Sequence, residues 1–263
     1  MRKLLGALIA VGLVAAMTAP AGAQADKGDL KVATSLPAPG FWTGDTPANI
    51  KGGFEYDLAQ AIAKKLGYSG VKVSNVSFDA LVAGKAKGFD FALSQVSISP
   101  ERGKVVAFST PYYRSDNGIM VNEGDTVPNA AAARKLKWGV QTGTTQLAFL
   151  NDKLKVTTKP RVYQETSQMF AALQAGQVDA VTTDTSILLE QASQPGSKFE
   201  VVGQFKTDTG LYGAVLAKGS KLLKKVNSAI KALKADGTLD QLAKDNLTAV
   251  FGGDPNDVPY IPL

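Results

Sequence analysis

Short apolar segments alternate with amphipathic segments that end at glycine, and this alternation most strongly constrains the fold. Residues 30–34 predict a strand, and residues 54–66 carry apolar side chains at four-residue intervals, as on one face of a helix. Gly67 is placed to end that helix. In the second half, residues 137–140 and 178–182 predict strands on either side of another helix. Strands that alternate with helices predict an α/β fold with largely parallel sheets.

The segments that connect and follow these units are predicted from the same patterns. A short helix at 80–87 ends at a glycine and leads into a strand at 89–97. Residues 222–233 predict an amphipathic helix, followed by one short last helix. The remaining residues, 251–263, are rich in Gly, Pro and Asp and predict a loose strap.

Residues 1–25 have the pattern of a secretory signal peptide. Arg2 and Lys3 precede an apolar run at 4–17, and small residues follow with A-x-A spacing, so that cleavage fits after Ala23 or Ala25. The run is shorter than the ~20 apolar residues that span a bilayer. A membrane anchor that is never cleaved is the alternative. We expect the chain to be exported.

Cysteine and histidine are both absent from the chain. Without cysteine there are no disulfides, no thiolate metal site and no lipid attached to a cysteine at the cleavage site. Without histidine, most zinc sites and serine–histidine catalysis are excluded. We therefore expect no metal and no cofactor, and an enzyme is disfavoured, although carboxylates and lysines remain. An exported, untethered protein is retained by an outer membrane, so we expect a periplasmic location.

The formal net charge is +6, which falls to +4 without Arg2 and Lys3. The lysines are scattered through predicted helices rather than clustered with aromatic residues, which is typical of solvated helix faces. We therefore expect no binding to nucleic acid, and we expect a monomer. The part that follows the signal peptide is long enough for two lobes.

Residues 53–66, which begin Gly-Phe-Glu-Tyr-Asp-Leu, closely resemble the signature of the family 3 extracellular solute-binding proteins. Tyr56 departs from it, because the family usually has an aliphatic residue there. The similarity runs from about Leu30 to Leu247. Three further segments resemble landmarks of the family and follow in order: 91–102, 139–146 and 236–239.

The resemblance implies the two-lobed periplasmic-binding-protein fold of type II, an α/β fold with a ligand cleft between the lobes. Two crossover strands join the lobes, and the matching segments place them near 117–121 and 212–216. Lobe 1 is then discontinuous, with residues 26–117 and 213–263, and lobe 2 comprises residues 118–212.

The resemblance also implies a site for a zwitterionic amino acid. Arg102, Ser97 and Thr145 match positions that bind the ligand carboxylate, because a guanidinium holds both oxygens and a helix start favours an anion. Asp184 and the backbone carbonyl of Gln95 match the partners of the ammonium group. From the residues alone, a surface arginine beside Glu101 is the favoured interpretation of Arg102, and Asp184 is equally a helix cap.

The side-chain pocket is expected to hold Phe78, which matches a residue that stacks on the ligand, together with nearby aromatic and polar residues. Core packing is the alternative for Phe41, whereas Trp42 lies in a polar loop and is expected to face the cleft. Gln141 and Thr183 stand where some relatives carry charged or titrating side chains. No charge is evident for the ligand's side chain, so the expectation is a neutral amino acid.

These residues together indicate a periplasmic substrate-binding protein. It captures a free amino acid between closing lobes and delivers it to the membrane permease of an ABC transporter. The alternative is an enzyme on the same scaffold, a cyclohexadienyl-dehydratase-like lyase, in which Asp184 is the candidate general acid. A sensor function is a third reading, but no signalling module is evident. The full zwitterion clamp favours transport, with no catalytic residues.

Overall fold

Two five-stranded sheets, each covered by helices, form the two lobes of the molecule. The computed structural model describes residues 27–263, so the predicted signal peptide at 1–25 lies outside the described residues. No helix within residues 27–263 is both long and apolar enough to span a lipid bilayer. Strands that alternate with helices therefore form an α/β fold, as the periodicity predicted.

Lobe 1 is built on a sheet in which β1 pairs in parallel with two strands of the amino-terminal half. A later strand, β12, inserts antiparallel between β3 and β4. In spatial order the strands are β2 (Gly70–Asn75), β1 (Asp29–Thr34), β3 (Phe91–Ala92), β12 (Val215–Leu216) and β4 (Ala107–Phe108).

Lobe 2 is built on a second sheet with the same mixture of pairings. Strand β7 runs parallel to β8 and β9, and β6 runs antiparallel to β9 and β10. In spatial order the strands are β10 (Phe199–Phe205), β6 (Asn117–Asn122), β9 (Ala180–Val181), β7 (Trp138–Gln141) and β8 (Arg161–Tyr163).

The chain crosses between the lobes twice, through a separate two-stranded pairing. Strand β5 (Tyr113–Arg114) leads out of lobe 1, and β11 (Leu211–Tyr212) leads back antiparallel to it. The first crossing therefore precedes the predicted segment 117–121, whose residues already belong to β6. These two short strands place the lobes on either side of a cleft.

Helices pack on both faces of each sheet. Helix α1 buries Phe54, Leu58 and Ile62 and ends at Gly67, which adopts the left-handed conformation at φ 77°. The helices are α1 (Phe54–Leu66), α2 (Phe78–Val82), α3 (Pro100–Gly103), α4 (Ala130–Ala133), α5 (Thr145–Ala148), α6 (Thr166–Gln174), α7 (Thr185–Ala192), α8 (Leu223–Ala235) and α9 (Thr238–Phe251). A π-helical turn spans Phe149–Leu154 and a 3-10 turn spans Pro255–Asp257.

The carboxy-terminal tail differs from the loose strap that its composition predicted. Gln204 of β10 exchanges backbone hydrogen bonds with the tail, donating to Pro259 O and accepting from Ile261 N at 2.9 Å each. Ile261 is buried with the core of lobe 2, and the Tyr260 hydroxyl donates to Asp116 Oδ2 at 2.7 Å. The tail, assigned from the sequence to lobe 1, therefore lies against lobe 2.

Candidate functional site

A cavity of about 130 Å³ lies in the cleft and is lined by residues of both lobes. Polar side chains converge on it from strand ends and helix starts, which is the usual place for a site in α/β folds. Nine lining residues carry the argument below: Phe78, Gln95, Ser97 and Arg102 from lobe 1, and Gln141, Glu165, Thr183, Asp184 and Glu190 from lobe 2.

Arg102 is a buried cleft arginine rather than a surface one, with 7% of its side chain exposed. It sits on the short helix α3. Its Nη1 donates to Ser97 O at 2.7 Å, and its Nη2 donates across the cleft to Gly143 O at 2.9 Å. Burial lowers the pKa of Arg102 to about 10, so the guanidinium stays charged at neutral pH. Its planar fork also lies 5.5 Å from the centre of the Phe78 ring.

Asp184 occupies the residue before α7 but does not cap the helix with its side chain. Instead its Oδ1 accepts a hydrogen bond from Gln146 Nε2 at 2.9 Å. The same amide nitrogen donates to Asn117 Oδ1 at 3.0 Å, which fixes the orientation of Gln146. Burial raises the pKa of Asp184 to about 7. A buried carboxylate without a cation in contact is a ready partner for a ligand ammonium group.

Gln95 and Ser97 also line the cavity, on the lobe 1 side. Gln95 has φ 50°, a left-handed conformation that is uncommon for a residue other than glycine. Its backbone N–H donates to Glu55 Oε1 at 2.7 Å. This turn ends β3 after Ala92, and the strand predicted at 89–97 is therefore much shorter than expected.

Thr145 is the predicted carboxylate partner that the structure does not place on the cavity wall. It begins helix α5, and its neighbour Thr144 lines the cavity instead. Thr145 faces a second opening of about 600 Å³ that Arg102 and Gly143 also border. The two openings share Arg102 and Thr144 in their walls, whereas Thr145 lines only the second.

Phe41 and Trp42 are corrected by the structure, because both are buried in the core of lobe 1 and neither lines the cavity. The Phe41 ring packs edge-on against Phe54 and Tyr113 at 5.9 and 5.6 Å between ring centres. Trp42 is fully buried, and its indole Nε1 donates to Glu55 Oε2 at 2.7 Å. The buried partner lets the indole leave the polar loop for the core.

The other three predicted pocket residues lie on the cavity wall. Phe78 starts α2 and is partly exposed to the cavity. Gln141 is the last residue of β7 and is 7% exposed, and Thr183 follows β9 and is 3% exposed. Gln141 is held by a hydrogen bond from its Nε2 to Gln164 O at 3.1 Å.

Two carboxylates that the sequence did not single out, Glu165 and Glu190, also line the cavity. Within the described chain, neither forms an ion pair. Burial raises the pKa of Glu190, and burial together with Asp79 raises that of Glu165. The expectation that the pocket holds no charge for a ligand's side chain is therefore wrong. No sequence signal marked these residues, because only the packing of α6 and α7 brings them together.

The arrangement separates opposite charges across the cleft. The cation is on lobe 1, at Arg102, and the carboxylates are on lobe 2, at Asp184, Glu165 and Glu190. The charges of Arg102 and Asp184 interact, since the carboxylate opposes the effect of burial on the arginine. A small molecule with a carboxylate at one end and an ammonium at the other is complementary to that pair.

Comparison with known proteins identifies the same class of molecule. The profile of bacterial extracellular solute-binding proteins, family 3, matches residues 30–249. A putative ABC transporter arginine-binding protein 2 from Escherichia coli is 32% identical over 238 residues, which cover 88% of this chain and 96% of that protein. The L-cystine-binding protein TcyJ from Escherichia coli is 30% identical over 255 residues, covering 92% and 94%.

Solved structures agree with this result. An ancestral arginine-binding protein bound to glutamine is 35% identical, with a TM-score of 0.72 over 84% of this chain and 98% of its own. An ancestral amino acid-binding protein described as a precursor of cyclohexadienyl dehydratase is 30% identical, with a TM-score of 0.72 over 84% and 96%. The profile spans both lobes, and the neighbours share their fold. The chain therefore belongs to family 3 of the bacterial extracellular solute-binding proteins.

Proposed function

We propose that this protein is a periplasmic amino-acid receptor that closes its lobes around a free amino acid and delivers it to the membrane permease of an ABC importer. The observation that carries the proposal is the placement of Arg102 and Asp184, both buried, on the walls of one cleft cavity from opposite lobes. Relatives with binding functions, among them arginine- and cystine-binding proteins, support it. The predicted signal peptide supports the periplasmic location.

The carboxylate end of the amino acid is assigned to lobe 1, and the ammonium end lies between a carboxylate of lobe 2 and a backbone carbonyl of lobe 1. Arg102 holds the carboxylate through its planar fork, with Ser97 beside it. Asp184 and the carbonyl of Gln95 hold the ammonium group. An amino acid that enters the cleft loses water from both charges, and these partners offset that cost. Closure follows because the closed form alone offers both partners.

The side chain of the amino acid is proposed to carry positive charge. Arg102 and Asp184 satisfy the two ends of the zwitterion, which leaves Glu165 and Glu190 without a cation on the cavity wall. A guanidinium or ammonium group on the ligand supplies it. Relatives that bind arginine and histidine fit this proposal. L-Arginine is therefore the first amino acid to test.

An enzymatic function is the alternative. It is suggested by the structural neighbour that is described as a precursor of cyclohexadienyl dehydratase. Asp184 is the candidate general acid, and its pKa of about 7 suits that role. The retention of both halves of the zwitterion clamp favours binding without turnover. We therefore propose that the protein is not an enzyme.

The test is a thermal-shift screen of the purified mature protein, freed of bound ligand, against the common amino acids and cyclohexadienyl acids. A ligand at 100 times its Kd stabilises the folded state by ~2.7 kcal/mol. We expect the largest shift with L-arginine or another cationic amino acid. Binding without product, checked by chromatography, supports the receptor. A flat response to every amino acid, or conversion of a cyclohexadienyl acid, contradicts it.

A further inference from the structure

The side chain of Glu55 is a buried titratable group that lies outside the cavity and yet contacts its wall. It is on helix α1, has 0% exposure and forms no ion pair within the described chain. A carboxylate taken out of water without a cation is costly unless donors surround it. Burial raises the pKa of Glu55, and the hydrogen bonds it accepts oppose that rise.

Four donors converge on this carboxylate, and two of them belong to Gln95. Oε1 accepts from the Gln95 backbone N–H at 2.7 Å and from the hydroxyl of Tyr112. Oε2 accepts from Trp42 Nε1 at 2.7 Å and from Gln95 Nε2 at 3.3 Å. Gln95 is thus held to helix α1 by both its backbone and its side chain.

Gln95 needs such a restraint because its φ of 50° is unfavourable for a residue with a side chain. The flanking residues are tied elsewhere: Val96 O accepts from Gly213 N at 3.0 Å, and Ser94 Oγ accepts from Ser35 N at 3.0 Å. Among these bonds, those of Glu55 act on Gln95 itself. Without them the backbone is free to relax toward an extended conformation.

We propose that Glu55 is a positioning residue that pins Gln95 in the left-handed conformation and so aims its backbone at the ammonium group of the bound amino acid. This inference rests on the proposed function, in which the Gln95 carbonyl is an ammonium partner. It assigns Glu55 to ligand affinity as well as to the stability of the lobe 1 core. Glu55 itself does not touch the amino acid.

A double-mutant cycle with Gln95→Gly separates positioning from a purely structural effect. Glu55→Gln leaves one oxygen for the four donors and adds an NH₂ group, so the pin is weakened at nearly constant volume. We expect Glu55→Gln to weaken the binding of L-arginine by about tenfold to a hundredfold, which corresponds to the strain of one left-handed residue. Glycine adopts φ 50° without strain. In the Gln95→Gly background the same change should therefore cost less than about threefold.

Trp42→Phe is the matched control, because it removes another donor to Glu55 and leaves both bonds of Gln95 intact. We expect a lower melting temperature with the affinity for L-arginine unchanged. Equal losses of affinity from Glu55→Gln in the two backgrounds would overturn the proposal. If Glu55→Gln does not fold, Glu55→Asp replaces it in the cycle, since the shorter side chain stretches the same bonds.

A ligand-free measurement keeps the pin distinct from the proposed function. If the wild-type protein binds no amino acid, the receptor function fails, and hydrogen exchange of the Gln95 amide then decides the inference. Faster exchange of the Gln95 amide in Glu55→Gln, with the exchange of the β1 amides unchanged, supports the pin. Unchanged exchange at Gln95 overturns it.

Discussion

The two lobes line the same cavity with side chains of opposite charge. Lobe 1 offers one guanidinium, Arg102, beside a turn of backbone whose conformation is held from the core. Lobe 2 offers three carboxylates. Glu165 precedes α6, Asp184 precedes α7, and Glu190 lies within α7. Neither face alone is complementary to a zwitterion. The complete site therefore exists only where the lobes close on each other.

This division couples recognition to closure. Among the described residues, the one hydrogen bond from the Arg102 side chain to lobe 2 runs to Gly143 O, a neutral acceptor. A ligand carboxylate offers Arg102 a stronger, charged acceptor. A ligand that binds the closed form better than the open form shifts the population toward the closed form by that difference in affinity. The asymmetry between the lobes can be broken at each charge in turn.

Removal of the lobe 1 cation should have the largest effect. Arg102→Ala leaves the ligand carboxylate buried and unpaired, at a cost of ~3–5 kcal/mol, or a loss of ~10²–10³ or more in affinity. The affinity of Arg102→Lys should fall between those of Arg102→Ala and the wild-type protein, since lysine keeps the charge but lacks the planar fork. Calorimetry with L-arginine measures both. The exposed Arg161 gives the control, and an Arg102→Ala protein with wild-type affinity would remove this residue from the site.

The lobe 2 partner makes affinity depend on pH. Asp184 has a pKa of about 7, and only its ionised form pairs with an ammonium group. Affinity should therefore fall by about a hundredfold between pH 8 and pH 5, with a proton released on binding at the lower pH. Asp184→Asn should bind weakly and lose most of this dependence. A wild-type affinity that is constant over this range contradicts the assignment.

The same carboxyl group should lower the stability of the ligand-free protein. Its folded pKa of about 7 lies above 3.8, so its contribution to the free energy of unfolding is full below pH 3.8 and is lost as pH rises to 7. At pH 8, Asp184→Asn should therefore stabilise the ligand-free protein by on the order of 1–3 kcal/mol, and at pH 4 by little. Urea unfolding measures the difference, with the exposed Asp240→Asn as control. Destabilisation at pH 8 would be the wrong sign.

Substitution of the two remaining carboxylates should have the smallest effect, on the selectivity between L-arginine and L-glutamine. Glu190→Gln should weaken the binding of L-arginine by roughly fivefold, because a partly screened charge pair is worth about 1 kcal/mol, and should leave the binding of L-glutamine nearly unchanged. Glu165→Gln should do less, since it is more exposed. Glu200→Gln on the outer part of β10 is the control. Equal weakening of both amino acids would mean that Glu190 does not read side-chain charge.

Local patterns predicted the regular elements and failed where a distant partner decides. The four-residue spacing in 54–66 and the stop at Gly67 are visible in the sequence and form α1 as expected. The last helix was predicted to be short, but α9 runs to Phe251 because its apolar side chains pack on lobe 1. The strand predicted at 89–97 is shorter, because the chain turns at Gln95, whose backbone N–H donates to Glu55, forty residues away.

In the site, too, the sequence failed to predict the residues whose placement depends on distant partners. Arg102 and Asp184 were found through the family resemblance, and their burial in one cavity agrees with those assignments without testing them. Trp42 was wrongly placed at the cleft, because a buried acceptor for its indole cannot be read from the loop around it. Glu190 was missed for the converse reason: on one face of α7 it looks like any solvated helix residue.

The insertion of β12 between β3 and β4 has a consequence for the order of folding. Val215 of β12 pairs with Ala92 and Phe108, so the lobe 1 sheet joins segments that are far apart in the chain. Contacts of such high sequence separation slow folding, because a long loop must close before they form. The sheet stays incomplete until residue 216 has emerged from the ribosome. Closure of the lobe 1 sheet is therefore expected to be a late step of folding.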